Sequence, residues 1–239
     1  MIICLNRLSA FPDEIRLWLS GIDVSNTTSE WPACTLACII IDFLALNMRV
    51  RRGQPIDPET IVEQCHTIDQ KLQDWFIQRP ANWRYTTELF APEDDDETSF
   101  TGHCHLYTDI WVARATNHYR WARIMVNELL LDYLAKIETK PGLDAQKQRS
   151  LSLISEIATD ICDSASTHLY QHTKRKTDEE YQGPVLHGVF TVLFPLKIAA
   201  SSRGVRTDMK SWVIETLERV GRLMGIMQAM TIATNLRAK

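Results

Sequence analysis

Between Trp111 and Ile137 the residues Trp111, Ala115, Tyr119, Ala122, Val126, Leu129, Tyr133 and Ile137 follow one another at steps of three or four without a break. A helix of ~3.6 residues per turn gathers such positions on one face, and no other regular structure does. The pattern predicts a helix from about Leu106 to Ile137, on the order of 45 Å long at ~1.5 Å per residue. Pro141-Gly142 closes it. A helix of that length is a central spine for the rest of the chain.

The other segments repeat the periodicity. Pro32 to Arg52 carries Leu36-Ala37-Cys38-Ile39-Ile40-Ile41, apolar on nearly every face, which suits a helix inside a large core. Asp57-Pro58-Glu59 reads as an N-cap, a proline at the first helical position and an acid in the first turn. Ile61, Cys65, Ile68, Leu72 and Trp75 then form one apolar stripe, ended by Arg79-Pro80. Further helices are predicted over Asp144 to Tyr170, over Val185 to Ser201, and from Thr207-Asp208 to about Asn235. Pro195 is expected to kink or split the second of these. Ala81 to Gly102 breaks the pattern and reads as a long loop, and His172 to Gly183 as a polar connection. Sustained two-residue alternation is absent. The expected fold class is all-α, one large multi-helix domain over residues 1–239 with a long central helix.

With 239 residues, 45% of them hydrophobic and 23% charged, the chain has ordinary globular composition and enough length for a substantial core. A net charge of −4, with both signs dispersed, provides no concentrated basic face for nucleic acid. The six cysteines, Cys4, Cys34, Cys38, Cys65, Cys104 and Cys162, form no C-x-x-C pair, and most sit in apolar helical patterns as small hydrophobes. Asp42 interrupts the apolar run from Ala33 to Met48, and His187, Pro195 and Lys197 interrupt that from Val185 to Ala200. Both are expected to fall short of the ~20 residues of a membrane span. The start Met1-Ile2-Ile3-Cys4-Leu5 is broken at once by Asn6 and Arg7, unlike a signal core. The chain reads as soluble and intracellular, with no membrane partner.

Several groups of residues invite a chemical role, and each has a plainer one. His103-Cys104-His105 offers zinc donors, but a closed site needs about four ligands, commonly in two spaced pairs, and no second pair is evident. The start of a helix whose histidines cap and pack is the plainer expectation. The run Glu93-Asp94-Asp95-Asp96-Glu97 suggests a magnesium-diphosphate enzyme of the helical isoprenoid-cyclase kind. Such an enzyme fixes its carboxylates on helix faces around a cavity, whereas these acids fall in a loop. Cys34 and Cys38, one turn apart, read as core. Gly221 and Gly225 form a G-x-x-x-G, expected to mark a close helix crossing within the domain, with a self-association face as the alternative. Lys174-Arg175-Lys176 precedes Asp178, Glu179 and Glu180 and reads as a solvated linker. No nucleophile elbow, phosphate loop or dinucleotide fingerprint is present, so no catalytic residue, metal or cofactor is assigned.

In order along the chain, Ile68 to Trp75, Pro80 to Tyr85, Gly102 to Trp111, Asn117 to Glu128, Gly188 to Ala200 and Trp212 to Ile226 form a series of short motifs. From about Ile61 to Ala233 their order and spacing resemble the C-terminal regulatory region of fungal transcription factors of the binuclear zinc cluster (Zn2Cys6) family. The residues that carry the likeness best are His105, Tyr107, Trp111, Tyr119, Arg120, Gly221 and Gly225. The family's DNA-binding module, which resembles C-x2-C-x6-C followed by a second similar half, has no counterpart among these six cysteines.

The resemblance implies a nuclear regulatory domain that does not bind DNA directly. It would act through transcriptional co-regulator proteins or a small effector, and through a homodimer where the glycine face associates. A cavity lined by Trp111, Tyr119, Phe190 and Phe194 is the expected place for an effector. A free-standing interaction protein that competes for a full-length factor's partners is a further reading, and a metal-dependent helical enzyme the alternative from a different class.

Overall fold

In the computed structural model, which describes residues 31–89, 99–138, 141–169 and 186–238, the Asp57 carboxylate caps its helix by accepting from the Thr60 amide at 3.0 Å. Pro58 occupies the first turn and Glu59 meets the positive end of the helix dipole. Among the described residues the chain forms α1 (Trp31–Arg51), α2 (Pro58–Gln78), a 3₁₀ turn (Ala81–Trp83), β1 (Thr86–Leu89) and β2 (His103–Leu106). It continues through α3 (Ile110–Leu134), α4 (Leu143–Leu169), α5 (Leu186–Ser201), α6 (Thr207–Met224) and α7 (Met227–Arg237). The fold is all-α, with one two-stranded sheet as its only β structure among the described residues.

The chain divides into two compact units, the first running to Arg79 and including 125–150, the second comprising 80–124 and 151–239. Helices α3 and α4 each contribute to both.

In the first unit α1 packs on α2. Leu36, Ile40, Phe43 and Leu44 on one side and Ile61, Cys65, Ile68, Leu72 and Trp75 on the other are buried. At ~1.5–3 kcal/mol per large side chain buried, this face is what holds α1. Polar pins fix its register: the Trp75 indole donates to the Pro32 carbonyl at 2.6 Å, and Lys71 pairs with Asp42 at 3.2 Å. From the part of α3 in this unit, the Asn127 amide donates to Asp69 Oδ1 at 2.9 Å. Pro32 to Arg51 spans 20 residues and is long and apolar enough to cross a bilayer by length and composition, against the expectation from Asp42. Asp42 lies within the helix and pairs with Lys71 of α2.

In the second unit β1 and β2 pair antiparallel, with Thr87 opposite His105 and Glu88 opposite Cys104. His103-Cys104-His105 therefore forms a strand, not the start of a helix, and the predicted loop from Ala81 to Gly102 holds the 3₁₀ turn and the partner strand. The strand is held from outside: Thr167 of α4 donates its hydroxyl to the His105 carbonyl, and Thr101 donates to Asp163 at 2.7 Å. Helix α3 then starts at Ile110, with Asp109 Oδ1 accepting from the Trp111 amide at 2.6 Å. It is ~37 Å long, shorter than predicted, because four residues at its expected head belong to or follow the sheet and three at its expected tail, 135–137, turn out of the helix.

Helices α5, α6 and α7 pack on one another. Pro195 lies inside α5 without splitting it. The last predicted helix is two, broken where Gly225 adopts φ +68° as the left-handed C-cap of α6. Gly221 supplies the close approach: a Cβ there would sit 2.5 Å from Met230 Cγ and Sδ of α7. The two glycines thus divide the labour, one for contact and one for the turn.

Candidate functional site: a buried arginine hub

Arg120 is 1% exposed in the middle of α3, between Tyr119 and Trp121, which are also buried. A guanidinium carries five N–H donors and no acceptor, so every hydrogen bond it makes runs outward. Nη1 donates to Tyr107 Oη at 2.7 Å and to Asn117 Oδ1 at 3.0 Å; Nη2 donates to His105 Nδ1 at 2.9 Å. Nη2 also stands 3.7 Å from Asp160 Oδ2. The Tyr85 ring lies with its centroid 5.0 Å from the guanidinium carbon. Nε has no hydrogen-bond partner. Burial opposes the charge of Arg120, but Tyr107, Asp160 and Tyr85 outweigh it and hold the guanidinium protonated.

From Arg120 the hydrogen bonds pass on in a fixed direction. Tyr107 accepts from Arg120 and donates to Ser164 Oγ at 3.0 Å. Asn117, its oxygen turned to Arg120, gives its amide protons to Ser164 Oγ at 3.1 Å and to His168 Nε2 at 2.9 Å. The Thr191 hydroxyl donates to the Gly188 carbonyl at 2.5 Å, so His168 Nδ1, 2.9 Å away, must donate to Thr191 Oγ1. His168 therefore carries its proton on Nδ1 and His105 carries its own on Nε2. Both imidazoles are held neutral: burial, and then the Arg120 charge, lowers each pKa to about 3. Burial also raises the Tyr107 phenol, against the pull of Arg120.

The hub is assembled by spacing. Asn117 and Arg120 are one turn apart on α3, and Asp160, Ser164, Thr167 and His168 lie along one side of α4 at helical steps. The sheet adds His105, with Tyr107 just past its end. The Tyr85 ring closes over His105 at 4.2 Å between centroids. Gly188 lets the start of α5 press against α4, since a Cβ there would meet the His168 carbonyl oxygen at 1.9 Å. At the edge, Thr101 Oγ1 lies between Asp163 at 2.7 Å and His103 Nδ1 at 3.1 Å. Burial raises the Asp160 and Asp163 carboxyls above the ordinary range, Arg120 opposing in both.

Of the positions singled out from sequence, His105, Tyr107 and Arg120 meet in this hub. Tyr119 is buried beside it and accepts from Arg123 Nη1 at 2.8 Å. Trp111 is 65% exposed with Arg114 over its ring, and Phe190 is 55% exposed. Phe194 meets Trp121 edge-on at 5.3 Å. The four aromatics proposed for an effector face thus differ sharply in exposure. The acid run 93–97 and Lys174-Arg175-Lys176 lie outside the described residues. Among the described residues, no three His, Cys, Asp or Glu side chains gather where they could hold a metal ion. Sequence reasoning missed Asn117 and Asp160 as partners of Arg120, and Ser164, His168 and Thr191 as the members of the network beyond them. The signal was a polar stripe at steps of three and four on α4, beside the apolar one.

The hub has little to offer as an acid–base device. The lone pair of His105 accepts from Arg120 and that of His168 from Asn117, so neither ring presents a basic nitrogen. No family model, no curated protein and no solved structure matches the chain.

Proposed function

We propose that the chain is a regulatory helical domain of a transcription regulator like those of the fungal binuclear zinc cluster family, acting in the nucleus through a protein partner or a small effector. It does so without catalysis and without its own DNA-binding module. The observation that carries this reading is the meeting of His105, Tyr107 and Arg120. These three positions of the family pattern come from different elements and close on one buried cluster. A buried polar network whose bonds run in fixed directions, with only Arg120 Nε left unmade, favours one packing over its alternatives, which suits a domain whose surface is read by something else. The engaged lone pairs of both hub histidines support binding over chemistry.

The test joins the chain to an unrelated DNA-binding module and measures a reporter in a fungal host. The tethered chain is expected to raise or lower transcription at least about fivefold relative to the module alone, equivalent to ~1 kcal/mol of coupling. Without the module it is expected to show no binding to duplex DNA at physiological salt. A folded, expressed fusion that leaves the reporter at the module's own level contradicts the reading.

A further inference from the structure

The two edges of the small sheet differ. His103 shows which groups of β2 face outward: its amide donates to Thr101 Oγ1 at 3.3 Å, and its carbonyl accepts from Ser99 Oγ at 2.8 Å. An amide has one proton to give, and in an antiparallel ladder the N–H and C=O of a residue point to the same side. His103 and Leu89 are therefore a non-hydrogen-bonded pair, and the ladder bonds run between Glu88 and Cys104 and between Thr86 and Leu106. His105 follows the same alternation, its carbonyl turned outward to the Thr167 hydroxyl. Side chains of residues 99–101 and of α4 thus take up the outer side of β2.

On β1 the alternation directs the amides and carbonyls of Thr87 and Leu89 away from β2. Among the described residues nothing bonds to these four groups. Both residues are exposed, Leu89 to 74%. Neither a proline nor a bulge interrupts the register from Thr86 to Leu89, so the edge lacks those two devices that keep strands from pairing further.

Donors and acceptors repeated on alternate residues, ~6.8 Å apart, match the spacing of another extended backbone. A helix keeps its own groups bonded internally. Two copies of this chain joined edge to edge would share strands of four residues, too short by themselves to bury the ~1,200 Å² of a stable interface. A short extended segment can bind through main-chain bonds and one or two side-chain contacts. Its residue opposite Leu89 would lie on the same face as Leu89 and cover it.

We propose that the outer edge of β1 captures an extended segment of a partner protein by strand addition, with an apolar side chain of that segment laid on Leu89. Only the partner's being a transcriptional co-regulator rests on the function proposed above; the strand addition does not.

The probe is a heptapeptide of alternating threonine and valine with a lysine at each end, acetylated and amidated. Its control is the same peptide N-methylated at every threonine and valine. The ¹⁵N–¹H correlation spectrum of the purified full chain is followed as each is added. The probe is expected to shift the amides of Thr87 and Leu89 saturably, with a dissociation constant on the order of 1 mM or tighter. The methylated peptide is expected to bind at least about fivefold more weakly. T87P removes an outward N–H and no ladder bond, a position at which a strand tolerates proline. It is expected to keep its helical content by circular dichroism and to bind the probe at least about fivefold more weakly; L89S is expected to weaken binding as well. Should T87P not fold, L89S and the methylated peptide decide alone.

Absence of saturable shifts at Thr87 and Leu89 overturns the proposal, as does binding that methylation or L89S leaves unchanged. Dimers in sedimentation that T87P dissociates would give the edge to a second copy and overturn the choice of partner. A chain that captures the probe, with a tethered reporter that T87P leaves unmoved, upholds strand addition and removes only the co-regulator's use of it. A working reporter in a chain that captures no probe upholds the regulatory reading and overturns this one.

Discussion

His105 Nδ1 accepts a hydrogen bond from Arg120 Nη2 at 2.9 Å, with both side chains almost wholly buried. Because arginine only donates, this one contact fixes the tautomer of His105 and bars its protonation while Arg120 stays in place. The same logic, passed through Asn117, fixes His168. Two histidines are thereby held as acceptors by one cation, and the consequences reach stability, mutational tolerance and spectroscopy.

Acidification should destabilise the chain well above the carboxylate range. With folded-state values of about 3 against the usual 6.5, His105 and His168 stay unprotonated in the fold while the unfolded chain takes up protons. Their contribution is complete above about pH 6.5 and is lost as pH falls from there towards about 3. Between pH 7 and pH 5 each would cost about 2 kcal/mol, near 1.4 kcal/mol per pH unit below 6.5. Asp160 and Asp163 act in the opposite sense, since raised carboxyls take up protons earlier in the fold than in the unfolded chain. Urea unfolding at pH 7 and pH 5 is expected to show a clear fall in midpoint. A midpoint unchanged or raised at pH 5 would count against neutral histidines.

Removing the cation should cost more than any exposed change. R120A strands Tyr107, Asn117 and His105 around a void and is expected to destabilise by about 3–5 kcal/mol. R120K keeps the charge but loses the planar fork that reaches all three acceptors, so it should recover only part of that loss. Equilibrium denaturation of both variants decides; full stability of R120K would mean the fork geometry is irrelevant.

Three glycines should respond differently to alanine. At Gly188 the new Cβ would meet a backbone oxygen, that of His168, at 1.9 Å, which cannot yield; about 3 kcal/mol or more is expected. At Gly221 it meets the Met230 side chain, which can move, and a gain in helix propensity of ~1 kcal/mol offsets the rearrangement. G221A should therefore fall within about 1 kcal/mol of the parent. At Gly225 nothing lies in the way, but φ +68° costs about 1–2 kcal/mol for any residue with a Cβ. Thermal unfolding of the three variants gives the order directly, and G188A as the mildest would contradict the packing described.

The helices were legible because burial imposes a period on apolar residues. Asp57-Pro58-Glu59 and the stripe from Ile61 to Trp75 appear in α2 as expected. The sheet was not legible. Each strand is four residues long, and His103-Cys104-His105 gains its extended form from Thr101, Thr167 and the pairing with β1, all distant in sequence or outside the strand. The exposure of Trp111 was equally hidden, since a stripe marks spacing but not where its covering ends. His105, Tyr107 and Arg120 stand out in the sequence as members of one pattern. Their mutual contact does not, because it depends on how β2 and the residues after it fold back onto α3 within the second unit. Gly225 illustrates the same limit: spacing alone does not separate a glycine of a helix crossing from one that ends a helix.

The most direct measurement is the ¹⁵N–¹H correlation spectrum of the histidine rings, recorded from pH 8 to pH 5 and assigned with H105Q and H168Q. The account requires His105 to be protonated on Nε2 alone, His168 on Nδ1 alone, and both to hold constant shifts across that range. Either ring taking up a proton near pH 6.5 in the folded chain would show that Arg120 does not organise the hub.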